Sequence, residues 1–183
     1  MTPEPAADSV PEITIPEALL PADGRFGCGP SKVRPEAVEA LVADAPTYLG
    51  TSHRQPTVKF MVARLRNAVA ELFAAPDGYE VLLGNGGTTV FWDAAAFGMI
   101  ENKSQHLVFG EFSSKFAKVT SAAPFLDEPE VIESATGTHP SPVASDDVDF
   151  YALTHNETST GVMMPITRPE GSTGLVGVDA TSA

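Results

Sequence analysis

The chain has 183 residues, 43% hydrophobic and 19% charged, so it can bury the core of one sizeable domain and is neither disordered by composition nor a disulfide-held peptide. Eleven Lys and Arg against twenty-four Asp and Glu leave a net charge of −13, which sets most of the surface against a phosphate backbone or an anionic membrane; no nucleic-acid or membrane partner is expected. The single cysteine, Cys28, allows no internal disulfide, and no apolar run approaches the roughly 20 residues of a membrane span.

In chain order, Met1 to Ile15 carries acids and prolines where a signal peptide would carry basic residues and then an apolar run, so a cytoplasmic protein is expected. Residues 1–24 read as an N-terminal arm, partly disordered, and residues 25–183 as the start of a folded domain. The turn-rich Phe26-Gly27-Cys28-Gly29-Pro30-Ser31 precedes a short helix opened by Pro35, with Val38, Leu41 and Val42 at helical spacing. His53 and Arg54 follow on a loop, where an adjacent His and Arg can clamp an anionic group. The clearest helix runs from about Thr57 to Ala74, with Val58, Met61, Val62, Leu65, Val69 and Leu72 forming a stripe expected to face a core.

Beyond Pro76-Asp77-Gly78, the run Val81-Leu82-Leu83 reads as a strand, Gly84-Asn85-Gly86-Gly87 as a loop, and Thr88 to Ile100 as a helix. The same grammar returns with Leu107-Val108-Phe109 before a helix from Phe112 to Ala122. Further strands are expected at Val131-Ile132, Phe150 to Leu153 and Leu175 to Val178. Short apolar runs alternating with helices predict an α/β fold, a mostly parallel sheet with helices on both faces. The acids between Lys118 and Arg168, Glu157 among them, are expected to be mostly solvated loop charges.

In open α/β sheets ligands gather at the carboxyl ends of strands. There, Gly86 and Gly87 let backbone approach a ligand, and Thr88 and Thr89 add hydroxyls at a helix N-terminus whose free N–H groups attract an anion; a plain turn with an N-cap is the alternative. Neither a dinucleotide fingerprint nor a Walker A loop is satisfied. Phe112 could lie against a flat ligand or belong to the core, whereas Trp92, in a helix of Phe91, Ala95 and Phe97, reads as packing. The polar run His155 to Gly161 exceeds what a turn requires. Asp179, directly behind four apolar residues, is either a strand-end cap or a carboxylate that holds a proton on a heterocyclic nitrogen. Together these groups suit pyridoxal phosphate (PLP).

The same motifs carry a resemblance that covers nearly the whole chain from Arg25: Phe26-Gly27-Cys28-Gly29-Pro30, Ser52-His53-Arg54, Gly84-Asn85-Gly86-Gly87, Gly110-Glu111-Phe112-Ser113-Ser114-Lys115, His155 to Val162, and Val178-Asp179-Ala180-Thr181-Ser182. In their order and spacing they resemble the N-terminal half of phosphoserine aminotransferases, class V aminotransferases of PLP fold type I, in their actinobacterial form. The resemblance implies that residues 25–183 are an incomplete large PLP-binding domain, cut off after the strand ending at Asp179. It implies that Gly87 and Thr88 hold the cofactor phosphate, Phe112 stacks on the ring, Thr158 bonds the phenolic oxygen, Asp179 pairs with the pyridine nitrogen, and His53 and Arg54 bind substrate.

The implied reaction moves the amino group of glutamate to 3-phosphohydroxypyruvate in serine biosynthesis, with a related role in pyridoxine biosynthesis, in a homodimer when full length. Many members carry Arg after the glycines and Trp in the stacking position, where this chain has Thr88 and Phe112. The Schiff-base lysine is expected beyond Ala183, so no residue is assigned as catalytic, this stretch alone is expected to be inactive, and no metal is expected. The alternatives are another fold-type I PLP enzyme, such as an alanine–glyoxylate aminotransferase or cysteine desulfurase relative, and a non-catalytic small-molecule binding module.

Overall fold

A computed structural model describes residues 13–21 and 32–183. The Phe26 to Ser31 motif with Cys28, and the arm boundary expected at residue 24, lie outside the described residues. Contacts divide the chain into two units, one running to Val81 and the other from Leu82 to Ala183.

In the first unit a 3₁₀ turn at Glu17–Leu19 is followed by α1 (Pro35–Tyr48) and α2 (Pro56–Leu72). Each helix opens on proline, whose preset φ suits the first turn and whose missing N–H costs nothing there. The apolar stripe expected to be core is not buried: no residue of either helix is, and Val62, Leu65 and Leu72 stand exposed. Two helices that touch only briefly cannot close over each other's apolar faces.

The second unit contains α3 (Thr89–Gly98), β1 (Ser104–Val108), α4 (Glu111–Ser121), β2 (Glu130–Glu133), β3 (Phe150–Thr154), β4 (Asn156–Glu157), β5 (Val162–Met163) and β6 (Leu175–Asp179). Four strands make one sheet in the order β2-β1-β3-β6, every pair parallel, with β3 and β6 in register from Phe150 beside Leu175 to Thr154 beside Asp179. A parallel neighbour has to be reached by a crossover, and α4 supplies the one between β1 and β2. This parallel sheet with helices packed on it is the fold class expected from the sequence. The strand expected at Val81 to Leu83 is absent: Leu82 and Leu83 are exposed, no strand pairs with the run, and the division between the two units falls inside it.

Alternation along the strands sorts the core into two layers. Trp92 and Ala95 of α3 and Phe116 of α4 pack on Phe150 and Ala152 of β3, while Leu107, Leu153 and Met164 form the layer on the other side of the sheet. The carboxylate of Asp149 accepts N–H bonds from Glu101, Asn102 and Lys103 and so ties the turn before β1 to the start of β3. The sheet is thereby anchored at one end, and the loops at its carboxyl end are left to build a site.

Candidate functional site

At the carboxyl ends of β3 and β6, inside the second unit, lies a cavity of about 230 Å³. Gly87, Thr88, Phe112, Thr158 and Asp179 all line it, so one pocket gathers every cofactor-binding residue expected from the sequence. His53 and Arg54 belong to the first unit, where both are exposed on the turn before α2.

Asp179 ends β6 and is 6% exposed. Its Oδ2 accepts a hydrogen bond from the Trp92 indole N–H at 3.0 Å, and its Oδ1 accepts the Thr181 N–H at 3.1 Å. Among the described residues no cationic side chain is paired with it. A buried carboxylate held by two neutral donors and facing a cavity is poised for a positively charged partner.

Across the pocket Gly86 takes a left-handed φ of +84°, a conformation glycine adopts without penalty, and turns the chain into α3. The first turn of α3 receives no side-chain cap; the Val90 N–H is taken by the Gly87 carbonyl, and the Thr88 and Thr89 N–H groups and the helix dipole are left to face an anion. A Cβ placed on Gly87 would meet no atom beyond its chain neighbours within 4 Å, so the space in front of that glycine is open. The Thr88 hydroxyl is hydrogen-bonded to the Thr181 hydroxyl, so the turn after β6 braces the glycine loop.

The N-terminus of α4 differs, because the protein has already filled it. Glu157 Oε2 accepts the Ser113 N–H at 2.8 Å, Oε1 accepts the Phe112 N–H at 3.3 Å, and Ser159 Oγ accepts the Glu111 N–H at 2.9 Å. Glu157 was expected to be a solvated loop charge but has no exposed surface, since burial inside this net of donors is where its charge is best satisfied. Phe112, in the first turn of α4, lines the pocket with its ring half exposed and is set in place by this capping. Thr158 Oγ1 donates to Ser182 Oγ at 2.6 Å and Asn156 Nδ2 to the Ser182 carbonyl at 2.7 Å, so Thr181 and Ser182 form part of one wall.

Three contributors escaped the sequence reading. Trp92 read as packing, although its polar edge serves the pocket. Thr181 and Ser182 were quoted only as part of a motif, although hydroxyls directly after a strand end were the available signal.

No family model matches the chain. It is 57% identical over 170 residues to a phosphoserine aminotransferase of Corynebacterium glutamicum, a match covering 92% of this chain and 45% of that protein. Over 173 residues it is 59% identical to a putative phosphoserine aminotransferase of Mycobacterium leprae, covering 94% and 46%. Over nearly its whole length the chain is thus similar to part of the phosphoserine aminotransferases. Its structure superposes on that of a phosphoserine aminotransferase from Cytophaga hutchinsonii with a TM-score of 0.71 at 29% identity, covering 83% of this chain and 44% of that one. The chain spans about half the length of the curated relatives it matches. The phosphoserine aminotransferase resemblance of the sequence motifs is thus matched by whole-chain similarity and by fold.

Proposed function

We propose that this chain forms the cofactor-binding part of a phosphoserine aminotransferase, which uses PLP to transfer the amino group of glutamate to 3-phosphohydroxypyruvate and acts as a homodimer. The observation that carries the reading is the convergence, in one pocket, of a helix N-terminus without a side-chain cap and a buried carboxylate that, among the described residues, has no cationic partner. An anion at one end and a protonated ring nitrogen at the other are two of the charged groups of a pyridoxal phosphate. The open space at Gly87 and a cavity of about 230 Å³ suit one ring with short substituents.

In this reading Gly87 and Thr88 bind the phosphate through backbone N–H and hydroxyl groups. Phe112 covers one face of the ring and keeps water from it. Thr158 donates to the phenolic oxygen by turning its hydroxyl from Ser182. Asp179 holds the proton on the pyridine nitrogen, and His53 and Arg54 bind the anionic groups of the substrate. Bound in this way, PLP supplies an electron sink for the carbon that carries the substrate amino group. Within the second unit, the capped N-terminus of α4 leaves that of α3 for the phosphate.

The test is amino transfer by the protein as its own cells make it, supplied with PLP, glutamate and 3-phosphohydroxypyruvate as the acceptor. Phosphoserine and 2-oxoglutarate are expected, with unphosphorylated hydroxypyruvate used at least about tenfold less well, as loss of a phosphate contact costs. Equal use of glyoxylate, or no dependence on PLP, contradicts the proposal.

A further inference from the structure

Trp92 is the only tryptophan in the chain and is 4% exposed. Its ring stacks on Phe116 with centroids 5.8 Å apart and planes 17° from parallel, which explains why an aromatic sits there. Stacking does not explain where its polar edge points. A buried indole N–H needs an acceptor, and any backbone carbonyl would serve. Instead it crosses 87 residues of sequence to Oδ2 of Asp179, the same carboxylate that faces the cavity. With Oδ1 bonded to the Thr181 N–H, each oxygen has, among the described residues, one donor fixing it. The plane of the carboxylate is therefore held from two sides.

We propose that Trp92 is a positioning residue whose N–H orients the Asp179 carboxylate toward a proton-bearing ring nitrogen, so that the pocket selects a protonated heterocycle over an isosteric carbocycle. This rests on the reading of the pocket as a PLP site. A phenylalanine at position 92 keeps the stack on Phe116 and loses the donor. The carboxylate would then turn about its χ2 bond and take a water in place of the indole. Hydrogen bonds to charged groups carry about tenfold in affinity.

The experiment titrates pyridoxamine phosphate, and its analogue with CH in place of the ring nitrogen, into the wild-type chain and into Trp92→Phe, with Asp179→Asn as the reference for losing the carboxylate. In the wild type, pyridoxamine phosphate should bind the tighter of the two. Trp92→Phe should weaken pyridoxamine phosphate about tenfold and the analogue by less than about twofold. Equal losses for both ligands would mean a merely structural tryptophan and overturn the proposal, as would no loss for either. Should Trp92→Phe fail to fold by circular dichroism, the single indole N–H resonance of the wild type decides. It should shift when pyridoxamine phosphate binds and stay in place with the analogue; an indole that ignores both overturns the proposal. Binding of neither ligand by the wild type overturns the PLP reading itself, and the inference falls with it.

Discussion

Glu157 has no exposed surface, and its two oxygens accept five hydrogen bonds, from the N–H groups of Phe112, Ser113 and Ser159 and from the hydroxyls of Ser113 and Ser159. Burial pushes its carboxyl pKa up, but the Ser113 N–H, the two hydroxyls and the Phe112 N–H outweigh it and hold it below the ordinary 4.5. A lowered folded-state pKa adds stability that is present above the unfolded value and is lost as pH falls through the folded one. Glu157→Gln should therefore cost about 2 kcal/mol in urea unfolding at pH 7, because an amide NH₂ is set against donors. The gap to wild type should narrow as pH falls below 4.5, where the native carboxyl takes up its own proton; a gap that does not change with pH contradicts this role. Asp179 and Phe112 were readable in the sequence because each directly follows an apolar strand or its glycine turn. Glu157 was not, because nothing local distinguishes a carboxylate that caps a distant helix from one in solvent.

At the scale of elements, the cap on α4 depends on a close approach at Gly110. A Cβ there would lie 2.3 Å from Glu157 Cγ and 2.6 Å from Ser159 Oγ. Gly110→Ala should displace the helix N-terminus, cost about 1–3 kcal/mol and weaken pyridoxamine phosphate through Phe112. Gly87→Ala adds its Cβ to open space and should leave urea unfolding unchanged while weakening the same ligand, because the methyl group keeps the phosphate from the backbone. If Gly87→Ala binds pyridoxamine phosphate as tightly as the wild type, the phosphate does not sit at Gly87. The helices α3 and α4 and the strands β1, β2, β3 and β6 lie within a few residues of where periodicity places them. The run at Val81 to Leu83 does not, since three apolar residues become a strand only when a neighbour accepts their hydrogen bonds. The stripe on α2 is as periodic as any, but periodicity states which face is apolar and not what covers it.

At the scale of the whole molecule, stability carries a second titration. His106 is buried against Phe116, with Nε2 within hydrogen-bonding distance of the Ser104 and Thr120 hydroxyls, and burial lowers its pKa from 6.5 to about 4. Because the folded value is the lower one, the neutral ring stabilises the fold above pH 6.5, and this contribution is lost as pH falls toward 4. Urea unfolding followed by the fluorescence of Trp92, which lies in the same unit, should show about 2 kcal/mol less stability at pH 5 than at pH 7 from this group. His106→Gln should remove that difference, and a difference that persists would place the proton elsewhere.

The most direct measurement is a crystal structure of the chain with pyridoxamine phosphate. The phosphate should sit on the first turn of α3 at Gly87 and Thr88, the ring beside Phe112, and the ring nitrogen within about 3 Å of Asp179. A ligand bound outside this pocket, or one whose ring nitrogen points away from Asp179, would contradict the assignment of the site.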